Sequence, residues 1–196
     1  MADNINIQSE DKDIIESFIN GNTSAFNLIV LKYQRKIYWV IRKFVLDHDD
    51  ADDLTQEVFL KLYKSLGDFR GESALYTYIY KIAVNYSLNH IKKNKVLSTY
   101  KKEIDSEAFR IKSDEAGSDE KFDKDINSRM IKEAIESLPE QQRAVFAMRF
   151  YEEMSYDEIA KILGTSVGGL KANYFHAFKK IQTNLLEKGI NKIKNE

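Results

Sequence analysis

Cysteine is absent from all 196 residues, which removes disulfides, zinc ribbons and thiol nucleophiles at once. Proline occurs only at Pro139, a position that suits the first turn of a helix. No apolar run approaches the length of a membrane span, so no membrane insertion is expected. Strand-like alternation of useful length is also missing. The start, Met1-Ala-Asp-Asn4, is polar and acidic, unlike a signal peptide, and a reducing cytoplasm is the expected setting. Even net charge is nearly lacking, at −1, which at first sight argues against nucleic acid as a partner.

That near-neutrality hides strong segregation. Residues 47–57 hold five Asp and one Glu with no Lys or Arg, whereas 70–102 hold seven Lys or Arg against the single Glu72. Residues 103–125 return to nine acids against four bases, and 167–194 hold six Lys against Glu187. A chain laid out as acid, base, acid, base presents more than one partner surface. It should also bind DNA weakly by itself, because phosphate attraction is partly cancelled within the molecule.

The most informative stretch is Ser155 to Lys180. Ser155-Tyr-Asp-Glu158 has the form of a capping box, and Ile159, Ala160 and Leu163 then give one apolar face of a short helix. Gly164-Thr-Ser166 supplies a glycine able to take positive φ and a second capping hydroxyl. A second helix follows from Val167, with Leu170, Tyr174, Ala177, Phe178 and Ile181 on its inner side. Two short helices joined by so tight a turn make a helix-turn-helix. Lys171, Asn173, His176, Lys179 and Lys180 remain outside, and such residues reach base edges and phosphates in a major groove. An ordinary helical hairpin with solvated lysines fits the same pattern.

Earlier in the chain, Asp11 to Phe44 predicts two helices separated at Asn20-Gly-Asn-Thr23. Phe26, Ile29, Val30, Tyr33, Ile37, Val40, Ile41 and Phe44 recur at helical spacing, and Trp39 within this run fits either core or partner surface, with core the expected place. Asp47 to Ser65 predicts the next helix. Asp49, Asp50, Asp52 and Asp53 lie near its positive dipole end, and Leu54, Val58, Phe59 and Leu62 form its buried face. Asp52, Asp53, Gln56, Glu57 and Lys61 are left outside. The aspartate cluster can also be read as a magnesium site. No second acidic cluster faces it and no substrate loop follows, so N-terminal helix dressing or a docking surface is the better reading, with no metal or cofactor required.

After the loop Gly67-Asp-Phe-Arg-Gly-Glu-Ser73, with Ser73 as the expected N-cap, a helix is predicted from Ala74 to about Lys93. Leu75, Ile79, Ile82, Ala83 and Tyr86 form its inner stripe. Tyr78, Lys81, Asn85, Asn89 and Lys92 form a second stripe. An aromatic ring, cations and carboxamides in one line suit unpaired bases, while an ordinary polar face fits the same pattern; Lys92-Lys-Asn-Lys95 shifts the balance towards nucleic acid. Periodicity fades from Val96 to about Lys124, where an acidic linker is expected. It resumes through Met130, Ile131, Ala134, Ile135 and Leu138. Val145, Phe146, Met148 and Phe150 are then expected to supply core for the helix-turn-helix. The expected fold is all-α: a helical domain over 8–96, an acidic linker over 97–124 and a helix-turn-helix domain over 125–190.

Four stretches, in order and spacing, resemble the extracytoplasmic-function group of bacterial sigma factors, the promoter-specificity subunits of RNA polymerase. Asp50-Ala-Asp-Asp-Leu-Thr-Gln-Glu-Val-Phe-Leu60 is similar to the segment that docks on the β′ clamp. Phe69-Arg-Gly-Glu-Ser73 with Tyr76-Thr-Tyr-Ile-Tyr-Lys-Ile-Ala-Val-Asn85 is similar to the segment that melts and reads the minus-ten element. Leu138-Pro-Glu-Gln-Gln-Arg143 resembles the entry to the fourth conserved region. Ser155-Tyr-Asp-Glu-Ile-Ala160 with Gly164-Thr-Ser-Val-Gly-Gly169 resembles its helix-turn-helix.

The resemblance implies a protein that is not an enzyme, whose partners are core RNA polymerase (the β′ clamp and the β subunit), promoter DNA and an anti-sigma factor. It implies docking through Asp52, Asp53, Gln56, Glu57 and Leu60. For the minus-ten element it implies a base captured by the loop from Phe69 and Arg70 to Ser73, beside Tyr78, Lys81, Asn85, Asn89, Lys92 and Lys93. For the minus-thirty-five element it implies Ser166, Lys171, Asn173, His176, Lys179 and Lys180. The family commonly carries tryptophan where this chain has Tyr78, and arginines around the start of the recognition helix where this chain has Leu170-Lys-Ala-Asn173. Arg-to-guanine pairing is the commonest specific major-groove contact, so their loss implies an AT-richer or shape-read upstream element. Two other readings stand beside this one. A plain helix-turn-helix regulator with an N-terminal dimerisation or sensing domain predicts a dimer on palindromic duplex, and a helical enzyme using Asp49 to Asp53 predicts metal-dependent activity.

Overall fold

The computed structural model describes residues 5–104 and 129–188. Among these the chain is helical and contains no strand. It divides into two compact units, Met1–His90 and Ile91–Glu196, with the division falling inside one long helix.

In the first unit, α1 (Asp11–Ile19), α2 (Ala25–Val45) and α3 (His48–Ser65) lead through a 3-10 turn at Leu66–Asp68 to α4 (Leu75–Ile104). Helix α2 packs against both α1 and α3, and its apolar positions account for this. Ile29, Ile37, Ile41 and Phe44 are fully buried at helical spacing, a stripe wide enough to meet two neighbours. Leu54, Val58 and Leu62 of α3 and Ile79, Ala83 and Val84 of α4 complete the core. The turn from α2 to α3 is tight. Leu46 takes a left-handed conformation at φ 63° while its side chain is buried, and the Asp47 carboxylate accepts from Asp50 N at 3.1 Å. An N-cap of this kind contributes about 1 kcal/mol.

At the start of this unit Asp11 bridges α1 and α2. It accepts from Lys32 Nζ at 2.7 Å and from Tyr33 Oη at 2.6 Å. Burial, followed by the Asp11 hydrogen bond and its negative charge, pushes the Tyr33 hydroxyl well above the usual phenol range.

The second unit contains α5 (residues 129–136), α6 (Glu140–Phe150), α7 (Tyr156–Leu163) and α8 (Val167–Glu187). Pro139 stands at the N-cap of α6. Arg143 to Met148 are buried without interruption, because α6 is flanked by both α7 and α8. Arg143 is the exception in kind. Burial pushes its guanidinium down to about 10, against the opposing charge of Glu136 and Tyr151, and its Nε and Nη2 find no partner among the described residues.

Several expectations are corrected. Trp39 is not core but 52% exposed; it lies on the far side of α2 from Ile37 and Ile41. Phe150 is 56% exposed, since it is the last residue of α6, where packing neighbours run out. Helix α4 starts at Leu75, with Tyr78 N donating to Ala74 O, so Ser73 is not the cap. The backbone of α4 also stays helical to Ile104, past Val96 and into the segment expected as linker. The remaining linker residues, 105–124, lie outside the described residues, as do 125–128 and 189–190 of the expected C-terminal domain.

Candidate protein and nucleic-acid interfaces

The first surface is the outer face of α3. Its inward residues, Ala51, Leu54, Val58 and Leu62, are buried, and this leaves Asp53, Gln56, Glu57 and Leu60 at i, i+3, i+4, i+7 on the exposed side. Leu60 is 62% exposed, an apolar residue between Glu57 on one side and the exposed Lys61 and Lys64 on the other. Asp52 stands to one side, 3.6 Å from His48 Nδ1, which lies 2.7 Å from Tyr38 Oη. The other aspartates serve different ends: Asp47 caps the helix and Asp50 pairs with His90 at 2.9 Å. Beside this face a shallow groove of about 560 Å³ runs between α2 and α3, lined by Arg35, Tyr38, Trp39, His48, Asp52 and Gln56. Trp39 meets Tyr38 edge-on at 5.3 Å. Of the two places the sequence allowed for Trp39, core and partner surface, it takes the surface; its position opposite Ile37 and Ile41 on the helical wheel was the available signal.

The second surface is the loop before α4 together with that helix's exposed side. Gly71 adopts φ 71°, and a Cβ there would meet nothing within 4 Å, so glycine is needed for conformation alone. Phe69 packs on Tyr78 with ring centroids 5.1 Å apart, and Tyr78 Oη donates to Ser65 Oγ at 3.1 Å. The tyrosine is thereby fixed from both sides and only half-buried. Arg70 is exposed beside it, and Lys81, Asn85 and Asn89 continue the exposed stripe along α4, with Lys92 and Lys93 exposed further on. A cavity of about 710 Å³ opens between the loop and α1, with Ile15, Ile19, Phe69 and Leu75 as apolar lining, Lys12, Lys32 and Arg70 as cations and Glu10, Asp11 and Glu16 as acids. That volume accommodates a nucleotide-sized ligand. The contribution of α1 has no signal in the loop motif.

The third surface is α7 with α8. Ser155 Oγ accepts from Glu158 N at 3.2 Å, and Ser155 N donates to Glu158 Oε2 at 2.8 Å, forming the capping box. The side-chain and backbone hydrogen bonds from Ser155 hold the Glu158 carboxyl below its usual range. Gly164 closes α7 at φ 64°. Ser166 is committed as the α8 cap, accepting from Gly169 N at 3.3 Å. Ile159 and Ile162 form the buried face of α7, with Ala160 and Leu163 only half-buried. In α8, Leu170, Ala177, Ile181 and Leu185 turn inward, while Tyr174 and Phe178 are half-buried.

Lys171, His176, Lys179 and Lys180 are exposed, and Asn173 lies at the edge. Lys171 Nζ sits 5.9 Å from the Tyr156 ring, and Lys180 Nζ donates to Ser137 O at 2.9 Å. The exposed face also carries Phe175, which is 62% accessible and was not among the expected site residues. At the far end, Lys188 Nζ meets Glu133 Oε2 at 2.6 Å and lowers that carboxyl's pKa. Among the described residues no group of three His, Asp or Glu side chains is arranged to hold a metal ion, and no helix is long and apolar enough to cross a membrane.

Comparison with known proteins accounts for both units. Residues 29–96 match the family Sigma-70 region 2, and residues 128–181 match Sigma-70, region 4. The chain is similar to the RNA polymerase sigma-H factor of Pseudomonas aeruginosa, 35% identical over 185 residues that cover 89% of this chain and 93% of that one. It is 33% identical over 182 residues to the ECF RNA polymerase sigma-E factor of Escherichia coli K12, with the same coverage of 89% and 93%. Among solved structures, CnrH in complex with the cytosolic domain of CnrY aligns with TM-score 0.58 at 20% identity, over 91% of this chain and 98% of that one. The sigma factor RpoE in complex with the anti-sigma factor NepR from Bartonella quintana aligns with TM-score 0.58 at 21% identity, over 82% and 96%; both likenesses bear on the fold alone. The chain belongs to the extracytoplasmic-function sigma factors of bacterial RNA polymerase.

Proposed function

We infer that the three surfaces divide the work of a promoter-specificity subunit among them, with catalysis left to the polymerase. Asp52, Asp53, Gln56, Glu57 and Leu60 dock on the β′ clamp. The observation that carries this is the exposed line Asp53, Gln56, Glu57 and Leu60 on α3, in which Leu60, 62% exposed, adds an apolar contact one turn beyond the acids. Apolar contact at the centre with charge around it is the usual anatomy of such interfaces. Trp39, in the adjoining groove, extends the same surface.

The loop from Phe69 to Ser73 takes an extruded base of the minus-ten element. Tyr78, Lys81, Asn85 and Asn89, followed by Lys92 and Lys93, hold the separated strand. Extruding a base costs a few kcal/mol, and stacking on an aromatic ring returns about 1–3 kcal/mol per base, so single-strand capture can offset opening without ATP. Helix α8 reads the minus-thirty-five element in duplex form, with Lys171 and Lys179 on phosphates. The domain assignment is 8–96 for docking and melting, 97–124 as acidic linker and 125–190 for upstream recognition. Acting with core polymerase places the protein in the cytoplasm. An anti-sigma factor that covers these surfaces is the expected regulator; the sigma factor RpoE, similar in fold, is known in complex with the anti-sigma factor NepR.

The test is the triple replacement Asp52→Ala, Asp53→Ala, Gln56→Ala. All three side chains are exposed, so the fold should be unaffected. Affinity for core polymerase is expected to drop at least tenfold, while binding of an upstream duplex stays unchanged. Unaltered polymerase affinity would remove α3 as the dock.

A further inference from the structure

We propose that Phe175 is a specificity-determining residue that reads the 5-methyl group of a thymine in the upstream promoter element. The proposal rests on α8 lying in the major groove, and assigns to it a base preference that the polar residues of the helix do not supply. Phe175 is 62% exposed, although the inner face of α8 has its full set of buried residues in Leu170, Ala177, Ile181 and Leu185. Among the described residues of the second unit there is therefore no packing use for this ring.

Its neighbours on the helix surface are informative. Gly168 and Ala172 stand seven and three residues before it, and Lys171 and Lys179 four residues to either side; all four are exposed. The small pair leaves room for the backbone to approach base edges, and the two cations sit where phosphates flank a groove. A phenyl ring has no hydrogen-bonding atom, so among major-groove base edges it can recognise only an apolar group. Of the four bases, thymine alone presents one, its C5 methyl. The His176 ring lies edge-on to Phe175 at 5.7 Å and 69°, which restricts the phenyl to one side of the helix. An aromatic contact also fits a recognition helix without arginine, since discrimination must then come from something other than bidentate pairing with guanine.

The experiment uses the full-length chain and a labelled duplex carrying the upstream element of a promoter at which it starts run-off transcripts. Each thymine of that element is replaced in turn by deoxyuridine, which pairs identically but lacks the methyl group. Binding is read by anisotropy for the unaltered protein and for Phe175→Ala, whose helical content is checked by far-UV circular dichroism. One replacement is expected to weaken binding by the unaltered protein about threefold to fivefold, the scale of one buried methyl group. The same replacement should leave Phe175→Ala unaffected. Equal affinity for every deoxyuridine duplex, or a thymine preference that persists in Phe175→Ala, overturns the proposal. Lys171→Ala and Lys179→Ala separate the two levels of the argument. If they weaken binding while the methyl group has no effect, only the Phe175 assignment falls; if they too have no effect, the placement of α8 in the groove falls with it. A Phe175→Ala variant that binds every duplex normally but loses affinity for a protein partner also overturns the proposal.

Discussion

Three glycines within six residues of the helix-turn-helix should respond to alanine in three different ways. Gly164 sits at φ 64°, and a Cβ there would meet nothing within 4 Å. Its replacement therefore carries no clash, only the left-handed penalty of about 1–2 kcal/mol, partly offset by a stiffer unfolded chain worth about 0.4–1 kcal/mol. The net expectation is a loss of about 1 kcal/mol. Gly168 lies in the first turn of α8 with helical φ and open space around it, so alanine should stabilise by about 0.5 kcal/mol. At Gly169 a Cβ would stand 3.3 Å from Ser166 Oγ and 3.5 Å from Thr165 Cγ2. Ser166 Oγ is the acceptor that caps α8. The helix-propensity gain there is set against damage to a cap worth about 1 kcal/mol, leaving a result near zero or slightly unfavourable. Hydrogen exchange of the α7 and α8 amides in the full-length chain reads these differences locally. Exchange about fivefold faster is expected for Gly164→Ala and about twofold slower for Gly168→Ala. The sole tryptophan, Trp39, lies in the first unit, so unchanged fluorescence provides a control. If Gly168→Ala accelerates exchange as much as Gly164→Ala, positive φ is not the reason for glycine at the turn.

Two further outcomes follow from the buried polar groups. Arg143→Met removes a buried guanidinium with unpartnered Nε and Nη2 and keeps much of its volume, so urea unfolding should show stability unchanged or raised by about 1–2 kcal/mol; a loss of several kcal/mol would mean the guanidinium has a partner that matters. Tyr33 has a hydroxyl pKa raised above its ordinary 10.0 by burial and by Asp11. Its protonated form is thus favoured by folding, so this contribution is complete below pH 10 and is lost as pH rises beyond it. Tyr33→Phe should flatten that alkaline decline, at the expense of a hydrogen bond to a carboxylate worth about 1.5–3 kcal/mol near neutral pH. An identical alkaline slope in the variant would remove Tyr33 as its source.

Local signals were legible where one interaction decides the structure. The Ser155–Glu158 box, the glycine at 164 and the cap at Ser166 all form as their residue types require. So does the break at Asn20 to Thr23 between α1 and α2. Legibility was lower where hydrophobicity and helical phase disagree. Trp39 reads as core by composition, yet two residues from Ile37 on a helix is some 200° of rotation, and phase wins. In α6 the unbroken burial from Arg143 to Met148 leaves no period, so nothing in the sequence marks Phe150 as the point where cover ends. Ile162 rather than Leu163 is buried, because α7 meets its neighbours along the i, i+3 line from Ile159. The cavity beside Phe69 joins residues from α1 and the loop before α4, a tertiary pairing that no local motif encodes. Phe175 was hidden for a simpler reason: it belongs neither to the apolar inner stripe of α8 nor to the polar residues by which a DNA-reading face is sought.

The most direct test of the central claim is run-off transcription with purified core polymerase on genomic DNA, with and without the protein. Discrete transcripts that appear only on its addition, at start sites sharing two upstream elements, are the predicted result. No new transcripts, together with failure to comigrate with core polymerase, would contradict the account.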